Sequence, residues 1–107
     1  MSIDRPTEQE LLKTVLEPLL EDFQYWFERS RFLLKSEQMP FFDEEQQTQL
    51  LNRIVRSQQE VQTAKMLFKA TDGSAGIDPN MLLPWHQLVA ECWSVAQKWR
   101  KTKGRES

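Results

Sequence analysis

Leu50, Ile54, Ser57, Val61, Ala64 and Phe68 recur at alternating steps of four and three residues. That spacing holds side chains on one stripe of an α-helix, the stripe a helix lays along a neighbour. The rhythm returns on either side. Leu11, Val15, Leu19, Trp26, Ser30 and Leu33 share one face of a first segment, with Leu12, Leu16, Phe23, Phe27 and Leu34 beside it. Trp85, Val89, Cys92, Ala96 and Trp99 form a third stripe, widened by Leu88 and Val95. No useful length alternates with period two, β-branched residues are sparse, and only three glycines occur. The chain is therefore expected to be all-α.

End signals frame the three stripes. Thr7 and Glu10 have capping-box spacing, as do Asp43 and Gln46. Gly73 suits a left-handed helix terminus, and Asp78-Pro79 offers an acidic cap followed by proline at the first helical position. Pro18 lacks a donor and crowds the carbonyl of Thr14, so a kink or break is expected there. Pro84 suggests a short extra turn at about 79–82 before a main third helix from about 84 to 102, shorter than the first two. Short connections then favour a single-domain antiparallel three-helix bundle over 1–107, with residues 1–6 disordered and 103–107 a basic flexible tail.

The chemistry that such a chain can carry is narrow. At 39% hydrophobic and 28% charged residues it is too apolar for a disordered polymer. It has no apolar run long enough to span a membrane, and "MSIDRPTEQE" is unlike a signal or transit peptide. A soluble, cytoplasmic protein is expected. One cysteine excludes an internal disulfide and a multi-cysteine zinc site. The stretch "MLLPWHQLVAECW" holds the only histidine, His86, and that cysteine, Cys92, about 120° apart on a helix. Cys92 falls in the seam and reads as a packed thiol. His86 falls at the rim, about 20° from Trp93 one heptad on, so the two form a candidate rim contact. Glu17, Glu21 and Glu28 line one side of the first helix without the Glu-x-x-His motifs of a di-iron bundle, and read as a solvated face. "DGSAGID" matches neither a calcium loop nor a phosphate-binding loop. No nucleophile–base set assembles, so the chain is expected to be no enzyme and to need no cofactor or metal.

Two surface features remain. Tyr25 and Phe32 stand one heptad apart on the line of Pro18, with Arg29 beside them, facing away from the core stripe. They form a candidate partner surface, unless the third helix covers it. Charge is also uneven: residues 1–97 carry a net −6 and residues 98–107 a net +4. Lys98, Arg100, Lys101, Lys103 and Arg105 either complement a helix dipole or contact an anion. The acidic body argues against nucleic acid and leaves a protein partner, self-association or a peripheral anionic surface.

The stretches "ELLKTVLEPLLEDFQYWFERSRFLL" and "FKATDGSAGIDPNMLLPWHQLVAECW" carry a resemblance over about residues 10 to 100. Through them the chain resembles a family of small cyanobacterial proteins classed as a domain of unknown function. The resemblance implies a cyanobacterial, cytoplasmic protein and supplies no site residues. The expected role is a non-enzymatic helical interaction module, that is, an adaptor, regulator or assembly factor. The alternative is a small-ligand or pigment-binding protein with Trp26, Trp85, His86, Trp93 and Trp99 around a cavity.

Overall fold

Each stripe becomes one helix. In the computed structural model, which describes residues 7–74 and 77–106, α1 spans Glu8–Ser36, α2 spans Glu44–Ala70 and α3 spans Pro79–Glu106. No strand occurs among the described residues, and no helix there is long and apolar enough to cross a membrane. Residues 1–6, expected to be disordered, lie outside the described residues.

The caps form, at Thr7 through the hydroxyl arm and at Asp43 through both arms of the box. The Thr7 side chain accepts from the Glu10 amide at 3.1 Å. Asp43 and Gln46 complete a reciprocal capping box at 2.7 and 3.0 Å. Asp78 accepts from the Asn80 amide at 2.9 Å, with Pro79 the first residue of α3. At the end of α2 the Gly73 amide donates to the Phe68 carbonyl and the Asp72 amide to that of Lys69. This is a Schellman terminus, and it uses two left-handed residues, Asp72 at φ 51° and Gly73 at φ 83°. A Cβ on Gly73 would sit 3.4 Å from Phe68, so the space exists but the backbone angle opposes it. Gly73→Ala should lose about 1 kcal/mol, read as an earlier midpoint in urea with an unchanged slope.

Both internal prolines lie inside unbroken helices. Pro18 is exposed, so the Thr14 carbonyl it leaves without an amide can turn to water. Pro84 faces back to Asn80, which is itself exposed in the first turn. The expected separate turn at 79–82 is thus the first turn of α3. That helix reaches Glu106 and, at 28 residues, matches the 29 and 27 of the others.

Side-chain pairs give the directions. Gln24 meets Gln62 and Glu28 meets Gln58, so α1 and α2 are antiparallel. Glu60 meets Trp85 and Arg53 meets Glu91, so α2 and α3 are antiparallel as well. Phe23 meets Trp85 and Trp26 meets Trp93, so α1 and α3 run in parallel. The central helix is α1, packed along both others, whereas the backbones of α2 and α3 hardly meet. Their link is made by side chains: the Trp85 indole donates to Glu60 at 3.1 Å, and Arg53 pairs with Glu91 at 2.6 and 3.1 Å.

The core holds Leu20, Phe23, Phe27 and Leu34 of α1, Leu50, Ile54 and Val61 of α2, and Trp85, Leu88, Val89, Cys92 and Val95 of α3. Met39 of the "MPFF" loop closes one end, fully buried, with Phe41 and Phe42 half-buried beside it. The first turns of α1 depart from expectation. Leu11, Leu12 and Val15 belong to the expected core stripe yet are 53%, 47% and 64% exposed. With Phe23 level with Trp85, Pro79 lies level with about residue 17, so α3 begins too late to cover them. Only the end of α2 accompanies these turns, through a Lys13–Asp72 ion pair. The molecule is consequently a rod of 65 × 26 × 20 Å with a radius of gyration of 17.5 Å. A compact chain of this length would have about 13 Å.

Candidate functional site

Parallel packing of α1 and α3 leaves a groove between them that is paved with aromatic rings. Beneath it, in the core, lies the edge-to-face pair Phe23–Trp85, with centroids 5.8 Å apart. One turn further along and nearer solvent, Trp26 stands at 85° to Trp93 at 5.7 Å. Tyr25 packs on the outer side of Trp26 at 5.1 Å. Arg29, one turn on, donates from Nη1 to the Tyr25 hydroxyl at 2.8 Å, with its guanidinium 5.5 Å from the ring centre. Beyond Trp93 the helices present Ser30 and Ala96, both too small to fill the gap. An open groove of about 610 Å³ results, lined among others by Trp26, Arg29, Phe32, Leu33, Trp93, Trp99, Arg100 and Lys103. The Lys103 ammonium sits 5.0 Å over Trp99.

Cys92 belongs to the floor. It is buried, and burial pushes its thiol above the ordinary range, which keeps it protonated and a poor nucleophile.

The groove brings together side chains that the sequence presents as three separate features. Arg29 and Phe32 of the strip form its α1 lip, with Tyr25 just outside against Trp26; Tyr25 is 51% and Phe32 72% exposed, so the third helix does not cover the strip. Trp93, 46% exposed, forms the α3 lip. Arg100 and Lys103 carry positive charge along the same lip. Among the described residues neither of these two forms an ion pair.

Two expectations need correction. His86 does not stack on Trp93. Its ring lies edge-on to Phe23 at 6.5 Å, and the aromatic partner of Trp93 is Trp26. Nor do the basic residues form one cluster at the end of α3. At 100° per residue, Lys98 and Lys101 point away from Arg100 and Lys103. Lys98 lies 5.7 Å over Phe41, and Lys101 is exposed. The Arg105 side chain lies outside the described residues.

Trp26 and Trp99 read in the sequence as seam residues. In the structure both are only partly buried and line the groove. The available signal was the pair of small residues, Ser30 and Ala96, in the two seams that flank it.

Elsewhere several ionisable groups are engaged structurally. Glu21 pairs with Lys65 at 3.7 Å, and Glu28 meets Arg31 and Gln58. No group of three His, Cys, Asp or Glu residues among the described residues is placed to hold a metal ion. Trp85 is shut in the core with its indole bound to Glu60, so the groove gathers three tryptophans and excludes the fourth.

No curated protein and no solved structure matches this chain. Residues 6–101 match the family model described as a protein of unknown function, DUF2605. The match takes in all of α1 and α2, most of α3, and the groove as far as Arg100. The chain therefore belongs to DUF2605, a family of proteins of unknown function.

Proposed function

We propose that this protein is a non-enzymatic helical interaction module, an adaptor, regulator or assembly factor, acting through the α1–α3 face. The observation that carries the reading is the exposure of Phe32 and Trp93 along one open groove, with Tyr25 exposed beside it. Tyr, Trp and Arg are the residues enriched where proteins meet, and burying an exposed aromatic stabilises by about 1.5–3 kcal/mol. Basic groups beside the groove favour an acidic partner segment. A cyanobacterial origin and a cytoplasmic location are part of the same reading. They are supported by the resemblance noted above and by the thiol of Cys92.

The test is the double variant Tyr25→Ser with Phe32→Ser. Both side chains are exposed, so the melting temperature should fall by no more than a surface change allows, about 1 kcal/mol in stability. Retention of native partners should be lost. A marked fall in melting temperature with retention intact would overturn the reading.

A second reading is supported by the room in the groove and its three tryptophans: a flat apolar ligand or pigment held there. Protein purified from its native host would then show a visible absorbance band that survives gel filtration. Trp99→Ala would remove that band.

A further inference from the structure

The strip that carries Tyr25 and Phe32 is longer than that pair. Leu11, Pro18, Tyr25 and Phe32 follow one another at steps of seven residues. Val15, Asp22 and Arg29 do the same between them. The two series interleave at alternating steps of four and three, so α1 carries a second seam of coiled-coil rhythm. All seven residues are exposed. From Leu11 to Ser36 the seam is about 37 Å long at 1.5 Å per residue. Since α1 already packs on α2 and α3 along its other faces, the seam fits one further helix lying lengthwise.

The charges identify that helix. Asp22 and Arg29 are the only charged members of the seam, and Asp22 forms no ion pair among the described residues. Around Asp22 the first half of α1 is acidic, with Glu8, Glu10, Glu17 and Glu21 against Lys13. The second half carries Arg29, Arg31 and Lys35 against Glu28, and Arg100 and Lys103 stand across the groove from it. A second copy of α1 laid antiparallel over the full seam sets acidic half against basic half, and the two-fold axis repeats the match. In that register Val15 faces Phe32 of the second copy. Asp22 faces Tyr25 of the second copy, whose hydroxyl already receives Arg29 Nη1, so the carboxylate meets a guanidinium held in place. A parallel arrangement would instead set Asp22 on Asp22 and Arg29 on Arg29.

We propose that the protein is an isologous dimer whose two α1 helices pack antiparallel along this outward seam. The inference rests on the interaction reading above and names the partner as a second copy. Two-fold association of this kind makes every favourable contact twice.

Sedimentation equilibrium of the full chain, from micromolar to sub-millimolar concentration, tests it. The wild-type protein should be dimeric at the upper end. Asp22→Arg sets like charges against Arg29 twice and should weaken association at least about tenfold. Adding Arg29→Asp to it should restore the dimer. Circular dichroism should be the same for all three, because both positions are exposed. A spin label on Lys35→Cys should report about 35 Å between copies in the antiparallel register, and less than half that in a parallel one. The buried Cys92 does not compete for the label. A monomeric wild type throughout, a dimer indifferent to Asp22→Arg, no restoration by the double swap, or a short label distance would each overturn the dimer. A monomer that still loses a heterologous partner in Tyr25→Ser with Phe32→Ser would retire the second copy and leave the interaction module standing. A monomer with unchanged retention would retire both.

Discussion

Trp85→Ala should cost about 3–5 kcal/mol, against a total stability that for domains of this size is only about 5–15 kcal/mol. Trp85 is 1% exposed and is the largest side chain fully enclosed by the fold. It meets Phe23 of α1 edge-on and donates its indole N–H to Glu60 of α2 at 3.1 Å. One side chain on α3 thus touches both other helices, in a bundle where α2 and α3 have little direct contact. Alanine would leave a cavity where the three helices converge and an acceptor on Glu60 without its donor. Trp85→Phe should fall between, since it keeps most of the ring and loses the hydrogen bond. Trp93→Ala provides the contrast. That ring is half exposed and packs mainly on Trp26, so its loss should cost well under half as much. Urea unfolding followed by far-ultraviolet circular dichroism ranks the three. An equal cost for Trp93→Ala and Trp85→Ala would mean that the two rings are not divided between lip and core.

The same two tryptophans show what periodicity conveys and what it withholds. Steps of four and three place Trp85, Val89 and Cys92 on one stripe, and the stripe is buried; Leu50, Ile54, Val61 and Phe68 of α2 behave alike. The end signals of Thr7 and Asp43 set the first two helix starts to within a residue, because capping chemistry is local, whereas α3 starts at Pro79 and not at the expected 84. Periodicity cannot state the axial register between helices. Leu11 and Val15 keep the rhythm of a core face and still meet water, since α3 starts only about level with residue 17. The prolines show the opposite failure. Pro18 and Pro84 suggest a break by a local rule, and each helix continues because the carbonyl left without an amide lies in an exposed turn. The groove was legible only in parts. Tyr25, Arg29, Phe32 and Trp93 signal a surface, and Arg100 and Lys103 signal charge. That Arg29, Phe32, Trp93, Arg100 and Lys103 share one cleft follows from the parallel pairing of α1 and α3, which is a tertiary fact. The ring partner of His86 was not legible for a related reason: His86 meets Phe23 of α1, while Trp26, 67 residues before Trp93, packs on that tryptophan.

One residue gave no functional signal and should matter greatly. Gln47 stands three residues before Leu50, so the α2 seam extended one step backwards puts an amide in the core. It is 6% exposed, the one buried polar side chain among the described residues. Its Oε1 accepts from the Met39 amide at 2.8 Å, while Nε2 donates to the carbonyls of Leu34 at 2.8 Å and Glu37 at 2.7 Å. The last carbonyls of a helix have no partner within it. Here α2 supplies one, and the same amide holds the loop that carries Met39 over the end of the core. Gln47→Ala removes three bonds and leaves a buried amide and a buried carbonyl unpaired, at about 1–3 kcal/mol each, so a loss of about 3 kcal/mol is expected. For a domain of about 100 residues this lowers the melting temperature by roughly 12 °C or more. Gln47→Glu separates the hydrogen bonds from the packing. It keeps the shape and the acceptor for Met39 but turns the donor into a second oxygen aimed at carbonyls. Burial and those carbonyls should raise the carboxyl above the usual range in the folded state. A raised folded value means the acid form is the compatible one. Its stability should therefore be closest to wild type below the unfolded carboxyl value, about 4.3, and should fall as pH rises through the folded value. Melting curves of wild type and Gln47→Glu between acid and neutral pH measure this as a widening gap. A gap that stays constant with pH, or a Gln47→Ala protein as stable as wild type, would show that the amide is not what ties α2 to the end of α1.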